Sequence, residues 1–130
     1  MAIQYSDAVR NAQNDAWEST IGTAPTLEIR TGAQPANCAA ADSGSLLATI
    51  TLPSDWMGAS SGGTKTKSGS WTVAASGTGT AGHYRIKQGA TCHEQGSIGL
   101  GSGDLSLDNT SITSGQNVTI STFSRTQGNA

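Results

Sequence analysis

The sequence predicts a mainly β protein: an N-terminal α-helix followed by an antiparallel β-sandwich or jelly-roll-like domain of about eight short strands. Three observations predict it. The spacing of apolar residues changes from the helical to the alternating period after Pro25. Turn signals then recur roughly every 8–12 residues, the interval of sandwiches and barrels. Gly, Ser and Thr supply 51 of 130 residues against 19 for Ile, Leu, Val and Phe, which suits short elements joined by many turns. Disorder by composition would also need a high net charge, and seven basic against nine acidic residues leave only −2. Residues 1–24 are read as a helical segment packed on the domain or on a neighbour, and 25–130 as the β-sandwich domain.

The helix is expected over Asp7 to Ile21. Ser6 is placed to cap its first turn, Asp7 favours the positive end of the dipole, and Gly22 supplies the stop. Val9, Ala12, Ala16, Trp17 and Ile21 recur at three- and four-residue steps and predict the buried stripe, with Arg10, Asn11, Asn14, Asp15 and Glu18 on the other face. A stripe made mostly of Ala suits close packing on a sheet or on a neighbouring subunit.

Alternation then sets the strands. Leu27 and Ile29 point inward on the first, and Leu46, Ala48, Ile50 and Leu52 form the longest alternating run, ended by Pro53. Between them, Pro35 to Ala41 suggests a helical turn around Cys38. Trp56 and Met57 are the apolar content of a tucked turn, and Thr64 to Lys67 reads as a polar edge whose lysines discourage pairing. Trp71, Val73 and Ala75 alternate. Tyr84 and Ile86 point inward, with His83, Arg85 and Lys87 outward. Leu105 and Leu107, then Ile112, then Val118 and Ile120 complete the set. Phe123 breaks parity, so a bulge is expected near Ser121.

Chemistry-bearing patterns are sparse. Gly77 to Gly82 has dinucleotide-loop spacing, but a strand follows where a helix is required. Gly58 to Thr66 misses a phosphate loop by the Thr64 inserted between Gly63 and Lys65. Asp104, Ser106, Asp108 and Asn109 open like a calcium loop, yet the sixth position is Asn109 and the twelfth Gly115. Cys92, His93 and Glu94 are adjacent, with His83 able to meet His93 across a hairpin, but strand neighbours face opposite ways and a third ligand is lacking. No Gly-x-Ser-x-Gly elbow occurs, and no acid, base and nucleophile converge. These readings predict no catalytic residue, no cofactor and no metal. Near-neutral charge without a basic cluster predicts no nucleic-acid partner, and no apolar run of about 18 residues predicts a membrane span. The first residues lack a basic region followed by an apolar core, so no secretion signal is expected there. Cys38 and Cys92 either form one disulfide or are two small buried thiols.

Several segments resemble small proteins of tailed-bacteriophage and prophage genomes: Leu27 to Ala33, Cys38 to Asp42 with Leu46 to Met57, Gly79 to Ile86, Thr91 to His93, and Leu105 to Phe123. The resemblance implies a virion structural protein without enzymatic activity, most like a head decoration or cement protein. Such proteins are commonly trimeric and sit on the outer capsid, bridging subunits of the major capsid protein. It implies assembly in the host cytoplasm. A tail or head-completion component, or a receptor- or glycan-binding module, is the alternative. Trp17, Trp56 and Met57 are the large apolar candidates for partner contact, each also suited to filling the core.

Overall fold

The computed structural model describes residues 3–127. The protein is mainly β, and the described residues form one N-terminal helix, α1 (Asp7–Ile21), ahead of ten strands of two to ten residues. Ser6 caps α1, its Oγ accepting from the Val9 amide at 3.2 Å. Gly22, at φ 95°, ends it and donates to the Glu18 carbonyl at 2.9 Å.

The strands are β1 (Thr26–Thr31), β2 (Leu46–Thr51), β3 (Thr64–Thr66), β4 (Thr72–Ala74), β5 (Gly79–Gln88), β6 (Thr91–Leu100), β7 (Leu105–Leu107), β8 (Ser111–Ile112), β9 (Asn117–Thr119) and β10 (Ser124–Thr126). The main sheet runs β2-β1-β5-β6-β7, with β8 on the start of β5. Two-stranded ribbons, β3–β10 and β4–β9, complete the curled β structure. The pairs are antiparallel except β6–β7, which is parallel. Leu27 lies opposite both Ile50 and Ile86, and Ile29 opposite Ala48 and Tyr84, so the inward residues of β1, β2 and β5 meet on one face.

The structure changes several local readings. The β1–β2 register shifts at Arg30, so Leu46 is 38% exposed and Leu47 takes the inward place. Within residues 35–41 the chain makes a single β-turn over 37–40, the Ala40 amide donating to the Asn37 carbonyl, rather than a helical turn. Lys65 belongs to a paired strand and is buried. Near Ser121 there is no bulge: residues 120–123 belong to no strand, and this irregular link between β9 and β10 lets Ile120 and Phe123 both be buried with two exposed residues between them.

The core rests on few large side chains. Five of the six aromatic residues make a continuous row: Trp17 to Trp56 at 5.1 Å between ring centroids, Trp56 to Trp71 at 6.2 Å, Trp71 to Phe123 at 5.5 Å and Phe123 to Tyr84 at 5.9 Å. The row runs from the helix through both ribbons to the main sheet. Trp56 is further fixed by donating from Nε1 to the Gly22 carbonyl at 3.0 Å.

The helix docks through its polar face. Asn14 is fully buried and donates to the Gly63 carbonyl at 2.7 Å. Asn11 accepts from the Gly63 amide at 2.9 Å, and Arg10 donates to the Gln127 carbonyl at 2.8 Å. Gly63 is required there: its φ is 81°, and a Cβ would stand 2.4 Å from the Arg10 guanidinium. Lys65 bridges Asp15 at 2.7 Å and Glu18 at 2.8 Å. Of the predicted stripe only Trp17 and Ile21 turn inward, whereas Val9, Ala12 and Ala16 are exposed. An Asn14→Ala change removes two hydrogen bonds, from Nδ2 to the Gly63 carbonyl and to Ser60 Oγ, and should cost about 1–3 kcal/mol in urea unfolding. Val9→Ser should stay within about 0.5 kcal/mol. The reverse ranking would mean that the helix is rotated.

Candidate functional site

The outward side of β5 is not a solvent face. His83, Arg85 and Lys87, expected outside, are all buried. A strap of residues 33–45 covers them. Arg85 donates through Nη2 to the carbonyls of Asn37, Cys38 and Ala40 at 3.0–3.3 Å, holding the strap's turn. The strap contributes one carboxylate, Asp42, which meets Arg85, Arg30 at 3.3 Å and Lys87 at 2.7 Å. Glu28 on the sheet pairs with Arg30 and Lys87. His83 Nδ1 lies 2.9 Å from the Gly32 carbonyl. Cys38 and Cys92 form a disulfide, with Cα atoms 5.2 Å apart, tying the strap to β6. A second tie comes from Gln95, which donates to the Pro35 carbonyl at 2.7 Å.

These charges have a structural use. The hydrogen bond from Lys87, aided by Arg85 and Arg30 against the cost of burial, holds the Asp42 carboxyl down at about 2. Lys65 keeps its charge differently: burial works against it, but the bonds it donates to Asp15 and Glu18 prevail and raise its pKa.

A second node joins the layers. Glu94 accepts from Trp17 Nε1 at 2.9 Å and from the Tyr84 hydroxyl at 2.8 Å, linking α1 to β5 and β6. Burial raises the Glu94 carboxyl, opposed by those two bonds and by Arg125. Burial, with Glu94 adding to it, also raises the Tyr84 phenol. Arg125 lies over the Trp17 ring at 5.2 Å. Asp104, on the far side of Gly96, accepts from the Ser97 amide at 3.0 Å.

The sequence-derived candidates are dispersed by the fold. Trp56 and Met57 are 0% and 2% exposed, so neither offers a surface to a partner; both are core, because the turn holding them folds under Trp17 and Trp71. Trp17 is half-buried and committed to Glu94 and Trp56. His83 lies opposite Ser97, and His93 is exposed four residues back along β6, so the two histidines do not meet. Among the described residues no group of three His, Cys, Asp or Glu is placed to share a metal ion, and no helix is long and apolar enough to cross a membrane. Gly77 to Gly82 runs into β5, and Gly58 to Thr66 forms the turn that receives α1.

What the fold leaves outside is apolar surface at the N-terminal end. Val9, Ala12 and Ala16 share one helix face, and Ile3 is 70% exposed just ahead of them. The sequence signalled Val9, Ala12 and Ala16, but as part of a buried stripe, and gave no signal at Ile3. No known protein family, curated protein or solved structure matches the chain.

Two measurements test the strap. Asp42 sits below its unfolded value of 3.8, so its contribution is present above that pH and is lost as pH falls through about 2. With the group a third exposed and partly screened, it should amount to about 1 kcal/mol. Asp42→Asn should remove this acid dependence, read as unfolding free energy against pH; an unchanged slope would show that the cluster contributes nothing. Glu94 has the opposite sign: its contribution is full below 4.5 and is lost as pH rises through its raised folded value. Reducing the Cys38–Cys92 bridge, which spans 54 residues, should lower stability by roughly 2–4 kcal/mol in denaturant titrations with and without reductant. Coincident titrations would mean that the bridge does not form in solution.

Proposed function

We propose that this chain is a non-catalytic architectural protein of a phage particle, a decoration protein that cements neighbouring subunits of the major capsid protein and works beside further copies of itself. The observation that carries this reading is the orientation of α1. A helix spends its apolar stripe on its own domain when the domain needs it; here Asn11, Asn14, Asp15 and Glu18 do the docking, and Val9, Ala12 and Ala16 are left exposed. The resemblance of the β segments to small virion proteins points the same way. Low net charge limits repulsion in a dense array of copies. The strap, fastened by a disulfide and a five-residue ionic cluster, suits a body that must keep its shape rather than move around a substrate.

The glycan-binding alternative draws less support. Sugar stacking needs aromatic faces open to solvent, and Trp56, Trp71, Tyr84 and Phe123 are buried in the core.

The test is localisation of the chain on intact particles with antibody and electron microscopy. Label over the head lattice is expected. Label along the tail would replace cementing with a tail role, and particles free of label would overturn the assignment. An Ala12→Glu, Ala16→Glu chain should fail to bind heads while its unfolding free energy stays within about 0.5 kcal/mol per site of the parent, since both positions are exposed. Undiminished binding would remove the helix face from the contact.

A further inference from the structure

The charge under the strap does not balance. Arg30, Arg85 and Lys87 bring three positive charges to one cluster, and Glu28 and Asp42 bring two negative ones. Among the described residues no other carboxylate pairs with these three cations. One positive charge is therefore in excess, on side chains only 2–12% exposed. A buried charge without a counter-charge is costly, so the surplus calls for an anion. The other buried ammonium shows the contrast, since Lys65 meets two carboxylates, Asp15 and Glu18.

Donors are left over as well. Arg85 binds Asp42 through Nη1 and three strap carbonyls through Nη2, but its buried Nε has no partner among the described residues. Lys87 Nζ carries three N–H groups and meets two oxygens, Asp42 at 2.7 Å and Glu28 at 3.1 Å. Both oxygens of Asp42 turn to the cations, Oδ1 to Arg85 and Oδ2 to Arg30 and Lys87, so its charge is used inside the cluster.

Space lies beside these groups. A cavity of about 380 Å³ opens against Arg85 and Lys87. Residues 38–42 of the strap line it, and so do Ala90 of the β5–β6 turn and Cys92. The Cys38–Cys92 bridge ties the two sides together. The alanines at 39, 40, 41 and 90 are short, which leaves the room, and Asp42 is the one carboxylate on the lining.

We propose that this cavity binds a small oxyanion, a phosphate or carboxylate group, held by the Lys87 ammonium and the Arg85 guanidinium and balancing the surplus charge of the cluster. Charge-assisted bonds from nitrogen to an anionic oxygen are the strong ones, which favours an oxyanion over chloride. The site is separate from the helix face invoked for the capsid, so either can fail without the other.

The experiment titrates the full chain, disulfide intact, with inorganic phosphate near neutral pH, sodium chloride holding the ionic strength constant. The NMR signal of the Lys87 side chain and the melting midpoint are followed. A saturable shift at Lys87, absent at Lys67 outside the cavity, is expected, with a rising midpoint. Ala90→Glu sets the missing carboxylate on the cavity lining at an exposed position, so the chain stays folded and phosphate binding should weaken about tenfold or more. Ala90→Gln, of the same size but uncharged, should weaken it much less. Blocked aspartate, N-acetylated and amidated, distinguishes the sources of the anion: it binds more tightly than phosphate if the site takes an acidic side chain of a neighbouring protein, and less tightly if it takes a free oxyanion. A Lys87 response to both probes no larger than that to chloride would overturn the proposal. Equal losses in Ala90→Glu and Ala90→Gln would overturn it too, because space rather than charge would then have been filled.

Discussion

The polar docking of α1 decides what the rest of this molecule presents to its surroundings. Asn14 and Asn11 grip both backbone groups of Gly63, and Lys65 grips the carboxylates of Asp15 and Glu18. A buried amide or ammonium that loses its partner is costly, so these bonds fix the helix's rotation more sharply than a row of alanines could. Alanine buries little area, and apolar burial returns only about 25 cal/mol per Å². The helix therefore follows its hydrogen bonds, and its apolar stripe faces outward.

That choice is affordable because the core is anchored elsewhere. The aromatic row from Trp17 to Tyr84 gives large contact area with few residues, and Glu94 ties both ends of it through Trp17 and Tyr84. On the opposite side of the main sheet, polar interactions again replace apolar burial. Arg85, Lys87 and Arg30 converge on Asp42, and the strap they hold covers the sheet. A chain poor in aliphatic residues thus makes a three-layered body from one aromatic row and two charged clamps.

Much of the fold was legible in the sequence. The limits of α1 follow from Ser6 and Gly22, and the inward residues of β1 and β5 from strict alternation. The rest depends on partners distant in the chain. Asn14 meets Gly63 across 49 residues, and Arg85 meets Asp42 across 43. A charge in an alternating strand looks like a solvent face unless the loop that will cover it is known, so alternation alone puts His83, Arg85 and Lys87 outside. Trp56 and Met57 illustrate the converse: in a tucked turn large apolar side chains suit an interface or a core, and only the packing of Trp17 and Trp71 around Trp56 puts them in the core.

On the function proposed above, α1 keeps its apolar stripe free in the isolated chain and covers it only against a neighbour. Radical footprinting read residue by residue tests it most directly, with Val9 compared with the exposed Leu100 and the buried Leu105. Val9 should label like Leu100 in dilute solution and become protected in the assembled state. Val9 labelling like Leu105 in the isolated chain would contradict the account, because the helix would then be spending that stripe on its own domain.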